Sequence, residues 1–371
     1  MKKLLLALLA MTLTGCANAP KDTLQRFSAR TTEVGFDTVI TFMAYAENEA
    51  KFNEYFDVVK NEYTYYNNLF DRYNDYDGIN NIKTINDNAG IKPVVVEKPI
   101  MDMIVLAKKY TEITEGYFDI SLGAVLDIWH EYREEGELLN AEGKDGRVPD
   151  IALLQEAKQY TGMEYVEINE ADSTIYLTHP RARLDVGAIG KGYATELIAQ
   201  KIESLGIKHA IISGGGNIRT INTKPDNQAW AIGIEKPSLV VKNESLDIFS
   251  IPHSTSIVTS GDYQRYYFGP DEVKYSHLIN KDTLMPADTY SSLSIVTKDS
   301  GMADALSTAI YMMPYEKGLT FIEQFNTKYP ESHISAVWID EDKNDKWIEK
   351  DEFYYTMTKD LESYSKNLSE Q

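Results

Sequence analysis

Residues 301–309 read Gly301-Met302-Ala303-Asp304-Ala305-Leu306-Ser307-Thr308-Ala309. Alanine, leucine and methionine favour a helix, which we predict over 302–313. Asp304 and Thr308 stand four residues apart, so they project from one face of that helix about one turn apart. A carboxylate and a hydroxyl are hard oxygen ligands that suit Mg²⁺ rather than zinc. The segment predicts a magnesium site, and the alternative is a plain helix start with Asp304 near the positive dipole end and Thr308 packed.

A second segment is rich in glycine and reads Leu184-Asp185-Val186-Gly187-Ala188-Ile189-Gly190-Lys191-Gly192-Tyr193-Ala194. Strand-like residues give way to glycines that open a helix predicted over 193–205. Backbone amides at a helix start, together with Lys191, form a cradle for an anion. The spacing matches neither a P-loop nor GxGxxG, and glycines that only permit tight packing are the alternative.

Two further segments place polar groups beside predicted strands. Residues 209–219 carry three consecutive glycines after a buried strand, which would let a ligand approach the backbone closely. Residues 259–267 and 275–280 combine Asp262, several tyrosines and His277. A lone histidine is more often structural than catalytic, so these segments are weak signals on their own.

Helices and short strands alternate along the rest of the chain, which predicts an α+β fold as a single, two-lobed domain. We predict a leader over 1–15, a tether over 16–30, the domain over 31–358 and a polar tail over 359–371. Further predictions are helices over 47–70, 99–115 and 151–161, a loop over 71–90, an exposed insertion over 130–150, and strands over 165–168, 174–177, 210–212, 230–234, 256–259, 274–279 and 292–297.

The N-terminus has the pattern of an export signal. Lys2 and Lys3 precede an apolar run of about ten residues, too short to cross a bilayer of ~30 Å. Leu13-Thr14-Gly15-Cys16 then resembles a bacterial lipoprotein signal, which implies a lipid on Cys16 and attachment to the outer face of the cell membrane. A plain signal peptide is the alternative. Cys16 is the only cysteine, so the body of the protein has no internal disulfide and no thiolate metal site.

The chain is acidic, with a net charge of −20. Removal of Lys2 and Lys3 leaves 35 basic and 57 acidic residues, a net charge of −22. Such a charge repels nucleic acids and anionic lipid surfaces. A phosphate-bearing ligand would therefore need a local cation.

Taken together and in their order along the chain, the four segments resemble the ApbE family of FAD:protein FMN transferases. The likeness runs from about Thr31 to Met313. The resemblance implies a T-fold-like α+β architecture. It implies that Mg²⁺ is held by the side chains of Asp304 and Thr308 and by the main-chain carbonyl of Ala188. It also implies that FAD is the substrate.

The resemblance further implies eight FAD contacts: Phe36, Tyr73, Tyr117, Phe118, Asp119, Asp185, Lys191 and Leu278. Two places depart from the family pattern. Phe36-Asp37-Thr38 stands where family members often have Met-Gly-Thr, and Asp71-Arg72 replaces the Ser-Thr that usually precedes the aromatic Tyr73.

The implied reaction transfers FMN from FAD to a Ser or Thr hydroxyl of an exported acceptor protein, with Mg²⁺, and releases AMP. We expect His277 to act as general base, with Asp262 as the alternative. An FAD pyrophosphatase that releases FMN and AMP, or a flavin-binding lipoprotein without catalysis, would use many of the same residues. Asp304-Ala305-Leu306-Ser307-Thr308-Ala309 also faintly resembles the acceptor motif itself, which raises self-modification as a minor alternative.

Overall fold

A nine-stranded antiparallel sheet forms the centre of the protein, seen in a computed structural model that describes residues 24–241 and 244–369. The predicted leader and Cys16 lie outside the described residues. The strands are β1 (Gln25–Thr31), β2 (Ile40–Ala46), β3 (Val94–Val95), β4 (Val166–Asn169), β5 (Thr174–Leu177), β6 (Ala210–Gly214), β7 (Asn217–Ile221), β8 (Trp230–Glu235), β9 (Ser245–Ile251), β10 (Ser256–Gly261), β11 (Tyr266–Phe268), β12 (Lys274–Ser276), β13 (Ser292–Thr297), β14 (Ser335–Asp340), β15 (Ile348–Lys350) and β16 (Phe353–Met357). The large sheet has the order β1-β2-β6-β7-β10-β13-β14-β16-β15.

The helices pack mainly on one face of this sheet. They are α1 (Glu49–Phe70), α2 (Ile82–Asp87), α3 (Lys98–Ile113), α4 (Gly123–Ala141), α5 (Ile151–Lys158), α6 (Gly190–Ser204), α7 (Ser300–Tyr311), α8 (Tyr315–Lys328) and α9 (Lys366–Ser369). The α+β class predicted from the sequence is confirmed.

Strand β13 is the most buried strand of the sheet, since all six of its residues are buried. Leu293 and Ile295 belong to the apolar cluster under the helices, and Val296 belongs to a second cluster on the opposite face, with Trp230 and Phe249 of the β8–β9 ribbon. The sheet is therefore covered on both faces, which explains why this strand shows no alternation of polar and apolar exposure.

Helix α1 forms where its apolar spacing predicts a helix. Asn48 caps its start by accepting a hydrogen bond from the Lys51 amide at 2.9 Å. Phe52, Val59 and Tyr63 recur at helical spacing and face the core. The helix packs against α6, which carries the glycine-rich segment.

Four boundaries predicted from the sequence are wrong. Strand β1 begins at Gln25, inside the predicted tether, because it pairs with β2 along the edge of the sheet. The predicted loop 71–90 contains helix α2, which is stabilised by a reciprocal hydrogen-bond pair between Asn81 and Thr84. The predicted polar tail contains buried Leu361 and Ser365, so the packed part of the domain continues beyond 358.

The fourth correction concerns residues 130–150, predicted as an exposed insertion. Helix α4 covers their first twelve residues, and its inner face packs on the β11–β12 ribbon. Gly136 is buried there, and a Cβ at this position would lie 2.4 Å from the Tyr267 ring. Glu131, Glu134 and Glu137, which helped to suggest an insertion, are exposed on the outer face of α4. None of the helices in residues 24–241 and 244–369 combines the length and the hydropathy that a membrane span requires.

Candidate active site

All four segments singled out in the sequence meet at one cavity of about 480 Å³. The predicted site residues that line it are Phe36, Tyr73, Tyr117, Phe118, Asp119, Asp185, Ala188, Lys191, His277, Leu278, Asp304 and Thr308. Asp262 does not line this cavity, and Cys16 lies outside the described residues. Positions spread over some 270 residues of sequence are thus brought together in space.

Close contact between α6 and α7 positions Asp304. The Gly192 amide donates a hydrogen bond to Asp304 Oδ2 at 2.7 Å. A Cβ at position 192 would lie 2.3 Å from the Ser300 carbonyl oxygen and 2.5 Å from Asp304 Cβ, so only glycine permits this approach. Burial raises the pKa of Asp304, although nearby Lys191 and the Gly192 amide act in the opposite direction.

A buried ion pair holds the start of α7 in place. Glu196 of α6 pairs with Arg219 of β7 at 2.9 Å, and both side chains are less than a tenth exposed. The Ser300 amide donates to the same carboxylate at 3.0 Å. Because the pair joins α6, α7 and the central sheet, it sets the orientation of the helix face that carries Asp304 and Thr308.

The oxygen donors on this face fit Mg²⁺. Among the described residues, Thr308 Oγ1 makes only long contacts of 3.4 Å, to the Asp304 carbonyl and to Ser260 Oγ, so its lone pairs are available. No group of three or more His, Cys, Asp or Glu side chains suited to a metal occurs among the described residues. Mg²⁺ commonly binds through one or two protein carboxylates while water and substrate phosphates complete its coordination shell. One carboxylate and one hydroxyl, from Asp304 and Thr308, match that mode of binding.

Arg72 bridges two carboxylates beside the cavity, and the sequence analysis did not identify it as a site residue. Its buried guanidinium pairs with Asp185, a predicted FAD contact, and with Asp127 of α4. Burial favours a higher pKa for Asp185, but Arg72 and the Gly187 amide outweigh it and lower that pKa. Burial raises the pKa of the more exposed Asp127, and Arg72 opposes that shift.

His277 lies at the base of the β11–β12 hairpin with its imidazole in the cavity. Burial, and then Arg265, Arg133 and Lys191, lower its pKa to about 3. The ring is therefore neutral at physiological pH. Its Nδ1 is buried without a hydrogen-bond partner in the described chain, which is unusual for a buried polar atom.

Asp262, the alternative base, points elsewhere. Its carboxylate forms an ion pair with Lys274 at 2.6 Å and does not contribute to the cavity wall. Burial raises its pKa, with Lys274 opposing the shift. The geometry therefore favours His277 over Asp262 as the group that meets a ligand.

Ser307 is fully buried and hydrogen-bonded to Ser260 at 2.8 Å, which disfavours self-modification at that hydroxyl.

Aromatic side chains form another part of the wall. Tyr73 stacks on His130 of α4 with ring centroids 4.6 Å apart. Tyr117 lies beneath the ammonium of Lys317, 4.5 Å from the ring centroid. Phe36 has a left-handed backbone, φ 58°, and its amide donates to Asn67 Oδ1 at 2.8 Å. A bulky residue in that conformation carries strain, a common feature of ligand-binding sites.

Helix α4 supplies four further wall residues that sequence reasoning missed. Leu126, Trp129, His130 and Arg133 all line the cavity, and the last two fall within 130–150, which was predicted to be an exposed insertion. Helical spacing from Leu126 to Arg133 was the signal that could have found them. The dense charges after Glu131 obscured it.

Comparison with known proteins gives concordant results. A family model described as "ApbE family" matches residues 36–330. The FAD:protein FMN transferase of Vibrio cholerae serotype O1 is 29% identical over 243 residues, covering 65% of this chain and 69% of that protein. That of Treponema pallidum is 30% identical over 258 residues, covering 66% and 68%.

Solved structures show the same architecture. The ApbE protein from Thermotoga maritima superposes with a TM-score of 0.70 at 26% identity, over 85% of this chain and 94% of that one. The flavin transferase ApbE from Vibrio cholerae gives a TM-score of 0.69 at 22% identity, over 92% and 99%, and so shows the shared fold.

Proposed function

Because the chain belongs to the ApbE family, we propose that this FAD:protein FMN transferase moves FMN from FAD to a Ser or Thr hydroxyl of an exported protein, with Mg²⁺, and releases AMP. One observation carries the proposal. The cavity joins an oxygen-donor pair, Asp304 and Thr308, to a cationic wall and to a neutral histidine with an unpartnered nitrogen. Those are the groups that phosphoryl transfer to an alcohol requires.

In the proposed chemical step, one P–O bond forms and another breaks. The acceptor hydroxyl oxygen attacks the phosphorus on the FMN side of the diphosphate and forms a new P–O bond. The bond to the bridging oxygen breaks, and AMP departs with the electron pair. The hydroxyl proton passes to the imidazole of His277, which leaves a phosphoester between FMN and the acceptor.

The basicity of His277 depends on the substrate. Without a ligand, burial and the nearby cations hold its pKa near 3, where it is a weak base. A diphosphate bound beside Lys191 and Arg265 would offset their positive charge and so raise the pKa of His277, while burial, the larger cause of its low value, would remain. General-base assistance typically contributes about 10²–10⁴-fold.

The oxygen donors of Asp304 and Thr308 and the Ala188 carbonyl would hold Mg²⁺, which when bound neutralises phosphate oxygens and makes phosphorus more electrophilic. Lys191 supplies a second positive group at the start of α6. Its ammonium makes no ion pair within 4.0 Å in residues 24–241 and 244–369, so it is available to an anion. These local cations address the repulsion expected from an acidic chain.

We also propose that the enzyme works outside the cytoplasm, tethered by a lipid on Cys16. The support is the sequence Leu13-Thr14-Gly15-Cys16 after a basic and apolar leader. Mass spectrometry of the membrane-extracted protein tests this, since Cys16→Ser should remove a lipid-modified N-terminal peptide.

The decisive assay incubates the full chain with FAD, Mg²⁺ and the exported proteins of its own cells. Flavin fluorescence is then read on a denaturing gel, and AMP is quantified by chromatography. We expect a fluorescent acceptor band, AMP in equal amount, and loss of both with a chelator. AMP and free FMN without a fluorescent band would instead identify a pyrophosphatase. FAD binding with no AMP would identify a non-catalytic flavin-binding protein.

A further inference from the structure

The β11–β12 hairpin places Arg265 directly beside His277. Tyr266 pairs with Ser276 in the antiparallel register, so Arg265 and His277 form the next pair. The His277 amide donates to the Arg265 carbonyl at 3.0 Å, which closes the base of the hairpin. Side chains directly opposite each other in such a ribbon project to the same side, with Cβ atoms about 4.5–5.5 Å apart. Both residues line the cavity.

The guanidinium of Arg265 has no anionic partner among the residues the structure describes. Five of the other eight arginines pair with carboxylates: Arg72, Arg133, Arg147, Arg181 and Arg219. Arg265 makes no such pair although it is only partly exposed in a chain with 57 acidic residues. A partly buried cation without a partner is costly unless a ligand supplies the opposite charge.

Two neighbouring groups locate this charge within the cavity. Burial is the main reason that the pKa of Lys191 is lowered, and Arg265 adds to that effect. Arg265 is also the first charged group, after burial, that lowers the pKa of His277. The guanidinium therefore lies within electrostatic reach of both Lys191, on the glycine-rich segment, and His277.

We propose that Arg265 binds the diphosphate of FAD through two parallel hydrogen bonds and stabilises the negative charge that AMP acquires as it departs. The inference rests on the proposed function and adds a residue to it. When the bond to the bridging oxygen breaks, the electron pair stays on AMP. A rigid, always-charged guanidinium fork suits two phosphate oxygens better than an ammonium does.

The test compares Arg265→Gln and Arg265→Lys with Arg147→Gln in the full chain. Arg147 is a matched control because it lies near the same hairpin and loses the same charge, yet it pairs with exposed Glu135 outside the cavity. Three quantities are measured: single-turnover AMP release at saturating FAD and Mg²⁺, competition of inorganic pyrophosphate with FAD by flavin fluorescence, and the midpoint of thermal unfolding.

For Arg265→Gln we expect AMP release to slow by about 10²-fold, the effect of losing one donor to a developing oxyanion. Pyrophosphate affinity should fall by about tenfold, the value of one charged hydrogen bond. The AMP release rate and pyrophosphate affinity of Arg265→Lys should lie between those of the wild type and Arg265→Gln, because lysine keeps the positive charge but lacks the two parallel N–H donors. Arg147→Gln should match the wild type.

Wild-type rate and pyrophosphate affinity in Arg265→Gln would overturn the inference. If Arg265→Gln unfolds at a lower temperature than the wild type, the test passes to Arg265→Lys. A folded Arg265→Lys with the AMP release rate and the pyrophosphate affinity of the wild type also overturns the inference. Failure of the proposed function looks different, because the wild-type chain itself would then release no AMP.

Discussion

Replacing Gly192 with alanine tests whether the contact between α6 and α7 builds the site. The added Cβ would lie 2.3 Å from the Ser300 carbonyl oxygen, where ordinary contacts begin near 3.4 Å, so the two helices must separate by roughly 1 Å. Such overpacking costs about 1–3 kcal/mol. Alanine's better helix propensity offsets up to about 1 kcal/mol. We expect a net loss of about 1–2 kcal/mol in the free energy of unfolding.

The same movement displaces the carboxylate of Asp304, because Gly192 also donates its hydrogen bond. A misplacement of about 1 Å can reduce turnover ~10²-fold. Urea unfolding and AMP release measure the two effects. Gly190→Ala is the control for stability, since its Cβ would meet nothing closer than 3.7 Å. Equal unfolding free energies for the two variants, with full AMP release by Gly192→Ala, would refute the reasoning.

Three further substitutions probe individual groups. Asp304→Asn should abolish AMP release while the fold persists. With FAD bound, Mg²⁺ should raise the midpoint of thermal unfolding of the wild type but not that of the variant. A rise caused by Mg²⁺ in the variant would contradict this. His277→Gln should still bind FAD but transfer flavin about 10²–10⁴-fold more slowly. Since the pKa of His277 is lowered to about 3, the wild type should lose stability as pH falls below the unfolded value near 6.5, and the variant should lose less of it. Arg72→Gln should destabilise the protein by about 3 kcal/mol at neutral pH and weaken FAD binding, as judged by urea unfolding and fluorescence titration. Because Arg72 lowers the pKa of Asp185, that difference should shrink as pH falls below about 4, and an unchanged difference would argue against the ion pair.

Local patterns predicted much of the fold and part of the site. The i and i+4 spacing of Asp304 and Thr308 places both on one face of α7, as expected, because helix geometry depends only on sequence separation. The apolar spacing of α1 likewise identified a helix whose inner face is buried. Those inferences needed no knowledge of tertiary neighbours.

Features that depend on distant partners could not be predicted. Arg72 reads as a departure from the family pattern, and its role follows only when folding brings Asp127 and Asp185 to either side. Asp262 lies within a chosen motif, yet Lys274 holds it away from the cavity. The sequence predicts an exposed insertion over 130–150 because the outer charges of α4 dominate that stretch, while the inner face of the helix lines the site.

The position of the FAD diphosphate in the protein decides whether the proposed reaction is possible. A crystal structure of the full chain with FAD and Mg²⁺ would show this directly. We expect the two phosphorus atoms to lie between the Asp304–Thr308 face of α7 and the side chains of Lys191, Arg265 and His277. A diphosphate bound elsewhere, with this cavity occupied by another part of FAD or by none of it, would contradict the proposed reaction.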